Sequence, residues 1–538
     1  MNLINMKKLN DSDKQNFLQY FFSSLNKSEK LWLIGVIIVY LLSRFLFING
    51  YSIFNDEAIH CHKAKIMGTQ PFECFYALRL GKFPTFIWLI ALAQQFIADP
   101  ILAGRIVSVL AGLVSMCGLF ILSRIFFNVE TALTSIIIYL IFPLTMVHER
   151  LALYDMTVNA LSLCGLGSIL WIFRNKNLNR TSMILLILIS TGASCLKITG
   201  VQLTLFIIIA FFLYVPRMKR TQYIPTVLLA FLIPSIILLQ FYFVGSLVGF
   251  KVNIISRLND FFITHHYEKS LLHKHWLNNS NILLLCMKYY LGIVPLTLVM
   301  IGFFEFIRNK MCKDAIFLSL WFIVPMIIYL FFVRIIFSRY FILNLTPLIV
   351  FAAIGFLRVH TIASKILERF FHSHISSLYL KSLLFVLCFF LYLKFSLISF
   401  ISPLNTPLTP VDRWQYISGW PAGTYFPKLL ELIKSRCTNK FCNIILHKHI
   451  GTLPDGLPLY LYKEKSCTIS YLNFWSLENV QSNIKPDQEN LIIIDEFPPP
   501  DNAIAFINSM PPHLKLIAEL KNPGPEANTC WVFSYVKK

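Results

Sequence analysis

Charged residues are scarce in this chain of 538 residues: Asp, Glu, Lys and Arg make up only 14% of it, against about a quarter in soluble domains. Hydrophobic residues reach 56% and aromatics 15%. This balance excludes an ordinary soluble globular protein and points to a polytopic membrane protein. Also missing from the first 30 residues, which are polar and contain several Lys, is the apolar stretch of a cleavable signal peptide. The first apolar run is therefore expected to act as its own signal. Acid is in shortest supply, with 27 Asp and Glu against 48 Lys and Arg for a net charge of +21. The cations nevertheless form no nucleic-acid patch; they gather in short loops between apolar runs, which is the positive-inside pattern. No convincing internal repeat is present, as corresponding halves of a transporter would show.

The distribution of charge sets an expected topology. Lys7, Lys8, Lys14, Lys27 and Lys30 place a short N-terminal segment, 1–31, in the cytoplasm, and the first span runs over about 32–49. The next apolar run, Pro84 to Ile97, is shorter than the roughly 17 to 25 residues that cross a bilayer, and is read as interfacial. If it crossed, the clusters around Arg124, Arg174, Arg217, Arg308 and Arg358 would all face outward. Further spans then fall near 103–123, 130–147, 157–173, 181–197, 199–215, 222–244, 281–306, 314–333, 339–357 and 380–402, about eleven in all. The fold class expected is an all-α polytopic membrane domain over 32–402, followed by a soluble α/β domain over 403–538 on the outer side. Within the latter, Phe426 to Ser435 has helical apolar spacing, while Phe441 to Leu446, Leu491 to Ile494 and Cys530 to Val536 read as short buried strands. Cys61, Cys74, Cys437, Cys442, Cys467 and Cys530 lie outside in this topology, an even number, with Cys437 and Cys442 the first candidates for a pair.

Against so little charge, Asp56 and Glu57 at the mouth of the first span, followed by Lys82 at the start of the interfacial segment, suggest a site. Their chemistry fits group transfer from a phosphate-bearing lipid: a carboxylate takes a proton while an ammonium holds phosphate. Other outward helix ends carry His148, Glu149 and Arg150 with Asp155, then Lys197, the loop Phe250 to Ser280, and Arg334 with Arg339. Each has a plainer explanation. Interfacial Lys and Arg snorkel toward headgroups, and Asp56 could simply cap a helix running through Ala64 to Met67. Independent snorkelling does not account for the mixture of signs at one level, whereas a wet pocket for a phosphate-bearing substrate does. In the loop at Ile263 to Trp276, His265 and His266 with Glu73 are candidates for a divalent metal, but the spacing fits no closed zinc motif, and scattered imidazoles on a wet helix explain it equally. Lys269, in the same loop, is a candidate phosphate contact.

Six segments in order, "NDEAIHCHKAKIMG", "LGKFPTFIWLIALAQQF", "AGRIVSVLAGL", "RLALYDMTVNAL", "CLKITGVQL" and "SRYFILNLTPLIVFAAIGF", resemble the membrane-embedded GT-C glycosyltransferases that use polyprenyl-phosphate sugars. This group includes protein O-mannosyltransferases and lipid A aminoarabinose transferases. The resemblance covers roughly residues 30–360. It implies a GT-C membrane domain and an inverting transfer from a polyprenyl-phosphate-sugar donor to a hydroxyl of a lipid, glycan or protein acceptor. It also implies a bacterial inner membrane, with the active site and C-terminal domain facing the periplasm, and no nucleic-acid partner. By this resemblance Asp56 is the general base, Lys82 contacts the donor phosphate, and Asp155 shapes the base or acceptor environment. Glu57 joins the catalytic group, and Lys197 and Arg339 join the phosphate-binding group. The chain departs from the family at Ile59, where aminoarabinose transferases tend to carry Arg, at His60, where many relatives have Tyr, and at Gly81, where an acidic residue often precedes the Lys-Pro segment. A divalent metal stays open as a cofactor. The segment "YISGWPAGTYFPKLLELI" is similar to one at the membrane exit of some bacterial relatives; a Gly/Pro turn into a surface helix is its local reading.

Two rival functions remain at this stage. A polytopic transporter or flippase should carry its ionisable positions near the bilayer midplane. A glycan polymerase or ligase commonly relies on arginines of a large outer loop rather than on an acidic pair in the first loop.

Overall fold

A computed structural model of the protein describes residues 25–70, 73–79, 83–174, 179–247, 269–371, 377–437, 440–448, 451–462, 464, 466–473, 475–495, 514–524 and 527–535. Most of these are helical, and a mixed sheet closes the C-terminal region. Among the described residues, five helices are long and apolar enough to cross a membrane: Pro100–Phe126, Tyr154–Arg174, Arg217–Phe241, Cys312–Phe332 and Leu348–Arg369. Two expected spans are not straight. The one placed at 281–306 bends by 91° between His275–Leu291 and Ile293–Arg308, and the one at 380–402 by 70° between Ser377–Cys388 and Phe390–Ile401. Gly292 stands at the first break with φ +74, a conformation glycine adopts without the steric cost of a Cβ. The Pro84 to Ile97 segment forms only a nine-residue helix, Thr85–Ala93, too short to cross.

Sequence explains the starts of these helices. Asn26 and Glu29 form a reciprocal capping box on Lys27–Phe45, with bonds of 2.8 and 2.9 Å. Asp99 caps Pro100–Phe126 by accepting from the Leu102 N–H at 2.8 Å, with Pro100 at the first helical position. Large side chains such as Leu31, Trp32, Phe212, Phe243 and Leu397 are exposed around the bundle, as a lipid-facing surface requires. Packing between Ile293–Arg308 and Leu348–Phe371 relies on small residues: a Cβ on Gly302 would run into the Phe351 carbonyl, and one on Gly355 into the Leu298 carbonyl.

Buried ion pairs tie the bundle together. Arg44 and Glu149 meet at 2.6 Å, both fully buried, and the Tyr139 hydroxyl donates to the same carboxylate at 2.7 Å. Arg174 and Asp314 meet at 3.0 Å. Arg150 donates to the Met146 and Ser399 carbonyls at 3.0 and 3.3 Å. The outward cluster expected at His148, Glu149 and Arg150 is thus an internal bracket, since all three are fully buried.

The C-terminal sheet has strand order β4-β3-β5-β7-β6, where β3 is Cys442–His447, β4 Cys467–Leu472, β5 Glu489–Asp495, β6 Leu514–Lys521 and β7 Thr529–Tyr535. β3 lies parallel to both β4 and β5, while β7 runs antiparallel to β5 and β6. Such parallel pairs need crossovers, and the helices Leu453–Leu461 and Leu477–Ser482 lie between the strands concerned. The helix expected at Phe426 to Ser435 is found as Phe426–Cys437, with Phe426, Leu429 and Ile433 buried.

A second, two-stranded sheet joins the ends of the chain: β1, Ile53–Phe54, pairs antiparallel with β2, Ala422–Gly423. β2 is the Ala-Gly part of the Trp-Pro-Ala-Gly segment noted in the sequence, and β1 immediately precedes Asn55 and Asp56.

Candidate active site

The Asn55–Thr69 helix opens with the acidic pair in its first turn. The residue expected to cap it was Asp56, but the N-terminal position is Phe54, and the capping oxygen comes from Glu57, which accepts from the Phe54 N–H at 3.1 Å. Glu57 and Asp56 accordingly have different surroundings. Glu57 is fully buried; both of its oxygens accept from Arg105 at 2.8 Å, and one also accepts from the Ala152 N–H at 2.8 Å. Arg105 in turn donates to the Ile48, Tyr51 and Ser52 carbonyls at 3.0, 2.8 and 3.0 Å. This clamp fixes the loop that delivers β1 and leaves Asp56 as the accessible carboxylate, with 27% of its side chain exposed.

Asp56 accepts from Arg339 Nη2 at 2.9 Å. Arg339 lies in the short helix Ser338–Phe341, stacked near the rings of Phe337 at 4.8 Å and Phe54 at 5.5 Å. Its other arm donates to Gln415 Oε1 at 3.3 Å. Three residues before Gln415, Asp412 is fully buried and accepts from the hydroxyls of Ser338 and Tyr290. The region just after the last span therefore holds Arg339 in place from the side opposite Asp56. Tyr416 packs edge-on against Phe54 with centroids 5.0 Å apart, and its hydroxyl lies 3.1 Å from His148 Nε2. Burial raises the Tyr416 phenol well above its ordinary pKa, so it stays protonated and able to donate.

A second carboxylate–cation pair joins Asp155 and Lys197 at 2.6 Å, with side-chain exposures of 9% and 22%. Lys197 Nζ also sits 4.4 Å from the ring centre of Tyr340, the residue after Arg339, so the two pairs share a neighbour. Beside them, the Tyr154 hydroxyl donates to the Phe83 carbonyl at 3.1 Å and Thr85 Oγ1 donates to the Cys195 carbonyl at 2.8 Å. His60, at its departure position, contacts the Ala152 carbonyl through Nδ1 at 3.0 Å and packs against Tyr154 at 4.6 Å. Asp56, Asp155, Lys197 and Arg339 are thus brought into one neighbourhood from four elements far apart in sequence. Lys82, His265 and His266, and the side chain of Lys269, lie outside the described residues, and Glu73 lies just after the Asn55–Thr69 helix, its N–H donating to the Gln70 carbonyl at 2.9 Å. Among the described residues, no group of three or more His, Cys, Asp and Glu comes together in a way that could hold a metal ion.

Gln415, Asp412, Tyr416 and Tyr340 were not singled out in the sequence. Asp412 had one available signal: an acid three residues after the capping Thr409 in Thr409-Pro410-Val411-Asp412, where Thr409 caps a helix turn and accepts from the Asp412 N–H.

The site is also clamped by the C-terminal region. The Asn55 N–H donates to the Pro421 carbonyl at 2.8 Å, and the same carbonyl accepts from Thr452 Oγ1 at 2.9 Å. Asn522 Nδ2 donates to the Ala422 and Gly419 carbonyls at 2.8 and 3.0 Å. His62 and Asp455 meet at 2.7 Å one helical face further along. A Cβ on Gly423 would lie 2.6 Å from Ile53 Cγ2 and 2.8 Å from the Ile53 carbonyl. Gly423→Val should therefore push β1 off β2 and lower turnover by up to about 10²-fold, the cost of roughly 1 Å of misplacement at a reacting group. Gly423→Ala should lie between this variant and the wild type; equal turnover in all three would show that the pairing does not position Asp56.

Residues 82–240 match the family described as dolichyl-phosphate-mannose-protein mannosyltransferase. Among solved structures, the chain is similar to ArnT from Cupriavidus metallidurans bound to undecaprenyl phosphate, at 12% identity and a TM-score of 0.58 over 93% of this chain and 97% of that one. It is similar to the apo state of the same protein at 13% identity and a TM-score of 0.59, over 94% and 98% of the two chains. The Archaeoglobus fulgidus oligosaccharyltransferase tethered with an acceptor peptide shares 10% identity and a TM-score of 0.50, over 87% of this chain and 69% of that one. No curated protein sequence matches the chain. The family match and the shared fold bear out the resemblance to GT-C glycosyltransferases drawn from the sequence.

Proposed function

We propose that this membrane glycosyltransferase moves a sugar from a polyprenyl-phosphate donor to a hydroxyl of a lipid, glycan or protein acceptor, with Asp56 as the general base. The observation that carries this reading is the accessible Asp56 carboxylate set beside Arg339, with Lys197 and Asp155 next to them. In the transfer, Asp56 takes the proton of the acceptor hydroxyl as its oxygen bonds to the sugar C1. The bond between C1 and the phosphate oxygen breaks from the opposite face, so the configuration inverts. The departing phosphate monoester gains negative charge, which Arg339 and Lys197 are placed to offset, with Lys82 and Lys269 as further cations suggested by the sequence. In the free protein Arg339 and Lys197 each already have a carboxylate partner, so donor phosphate competes with Asp56 for Arg339 and with Asp155 for Lys197. Release of Asp56 from Arg339 on donor binding would free the base only when a donor is present. Glu57 serves as a positioning residue through Arg105.

The neighbours support a lipid-linked substrate through what they hold: undecaprenyl phosphate in one and an acceptor peptide in another. We place the active site and the region 403–538 on the outer face, periplasmic in a bacterial inner membrane, with 1–31 in the cytoplasm and 32–402 as the transferase domain. The sidedness rests on the positive-inside distribution, and the bacterial inner membrane on the family resemblance.

Mass-spectrometric comparison of membrane lipids from cells carrying the wild-type chain or Asp56→Asn at matched expression tests the function. Accumulation of a polyprenyl-phosphate sugar in the variant identifies the donor; unchanged lipid-linked sugars would overturn the proposal. Lys82→Met should raise the donor KM by about tenfold or more, since one charge-assisted phosphate contact is worth about 1.5–3 kcal/mol. An effect confined to the acceptor KM would remove Lys82 from the donor site.

A further inference from the structure

Three cysteines converge at one edge of the C-terminal sheet, away from the proposed active site. Cys437 ends the Phe426–Cys437 helix, Cys442 begins β3 and Cys467 begins β4. Cys442 and Cys467 are direct partners in the parallel register. Cys437 and Cys442 belong to the buried core, Cys467 packs against it, and the Cys437 thiol interacts electrostatically with both. All three are free thiols, so the Cys437–Cys442 pair suggested by the sequence is not formed here. Cys437 is 5% exposed and Cys442 fully buried, whereas Cys467 is half-buried.

We propose that these residues form a thiol–disulfide site in which Cys467 is the entry thiol and Cys437 the resolving thiol, giving a Cys437–Cys467 disulfide and leaving Cys442 reduced. The co-reactant is a small-molecule disulfide or the disulfide of a thiol oxidase. The Cys467 thiolate attacks one sulfur of that disulfide, forming a mixed disulfide and releasing one thiol. Cys437 then attacks the Cys467 sulfur, releasing the second thiol. Two protein thiols are oxidised, one external disulfide is reduced to two thiols, and atoms and electrons balance.

Access and geometry select these roles. Of the three residues, only Cys467 is partly exposed to an incoming disulfide. Partners in register on adjacent parallel strands keep their side chains about one strand spacing apart, ~4.8 Å. A disulfide requires Cβ atoms about 3.5–4.5 Å apart, which disfavours Cys442 with Cys467. Cys437 approaches from the end of a helix, outside the ladder, and is not held to that spacing. Burial, reinforced by the neighbouring Cys442 and Cys467 thiols, pushes the Cys437 thiol above its ordinary pKa. It is therefore a slow nucleophile at neutral pH, suited to a structural oxidation rather than rapid redox cycling. The product would staple the helix that follows β2 to the sheet edge at β4.

The test uses the full-length protein purified in detergent under reducing conditions and then exposed to oxidised glutathione. Remaining thiols are trapped with N-ethylmaleimide, and linked peptides are mapped by mass spectrometry with and without reduction. A Cys437–Cys467 link, with Cys442 alkylated only after unfolding, is expected. In Cys437→Ser the expected species is a glutathione adduct that persists on Cys467, while Cys442→Ser should still form the link. A Cys437–Cys442 link, a persistent glutathione adduct in the wild type, or three unmodified thiols would each overturn the proposal. Because the purified protein carries the test, its outcome does not depend on the compartment assigned to this region.

Discussion

Asp56→Asn is expected to lower turnover by a factor of about 10² or more while the protein stays folded, the range general-base catalysis typically contributes. The substitution is nearly isosteric, and the amide oxygen it introduces can still accept from Arg339 Nη2, so the contact at 2.9 Å need not be lost. What disappears is the ability to accept the acceptor's proton. The effect should therefore fall on kcat with donor KM little changed or lowered, since Arg339 would no longer be held by a full negative charge and would be freer to meet the donor phosphate. A purified-enzyme assay of sugar transfer, paired with a thermal midpoint in the same detergent, separates loss of chemistry from loss of fold. Near-normal turnover would remove Asp56 as the base, and Asp155 would be the carboxylate to examine next. Arg339→Met provides the complementary case. It should raise the donor KM and lower kcat together, because the guanidinium is proposed to meet phosphate charge that grows as the bond to C1 breaks.

Much of this site was legible in the sequence because the membrane makes charge costly, so that each carboxylate or cation near an apolar run was already conspicuous. Asp56, Asp155, Lys197 and Arg339 were found in that way, and the structure brings them together. Hydropathy could not separate Asp56 from Glu57, because their different roles depend on Arg105, which sits 48 residues beyond Glu57 and reads in the sequence as one more basic residue in a span. Gln415 was equally invisible, and Tyr416, although it opens the quoted Tyr-Ile-Ser-Gly-Trp-Pro segment, carried no sign of a site role, since their contribution comes from the chain returning over the site after the last span, a contact that no local pattern records. Bends are likewise poorly encoded by composition: both halves of the 91° break at Gly292 are apolar, and only the positive φ of that glycine betrays the change of direction. In the C-terminal region the buried strands β3, β5 and β7 stood out by their apolar runs, while β4 and β6, with exposed or half-buried faces, did not.

Arg105→Met should produce the largest loss of stability of any single substitution at the site. Glu57 and Arg105 side chains are 0% and 2% exposed, and removing one partner of a buried pair typically costs about 3–5 kcal/mol, because the remaining charge has neither water nor a counterion. Here the loss goes further. Without the guanidinium, the carbonyls of Ile48, Tyr51 and Ser52 also lose their donor, and these residues form the loop that enters β1. Glu57→Gln should be milder, because its amide oxygen can still accept from the Phe54 or Ala152 N–H while Arg105 keeps its three carbonyls. The double variant Glu57→Gln, Arg105→Met should therefore be less destabilised than the sum of the two single changes, the signature of a direct pair. Thermal midpoints of the four proteins in one detergent give the comparison, and simple additivity would show that the pair is not coupled. The same series tests how stability reaches catalysis. If the pair acts by fixing the loop before Asp56, the surviving folded fraction of Arg105→Met should show a lowered kcat that Gly423→Val reproduces, since both loosen β1 from opposite sides. Unchanged kcat in that folded fraction would confine Glu57 and Arg105 to stability alone.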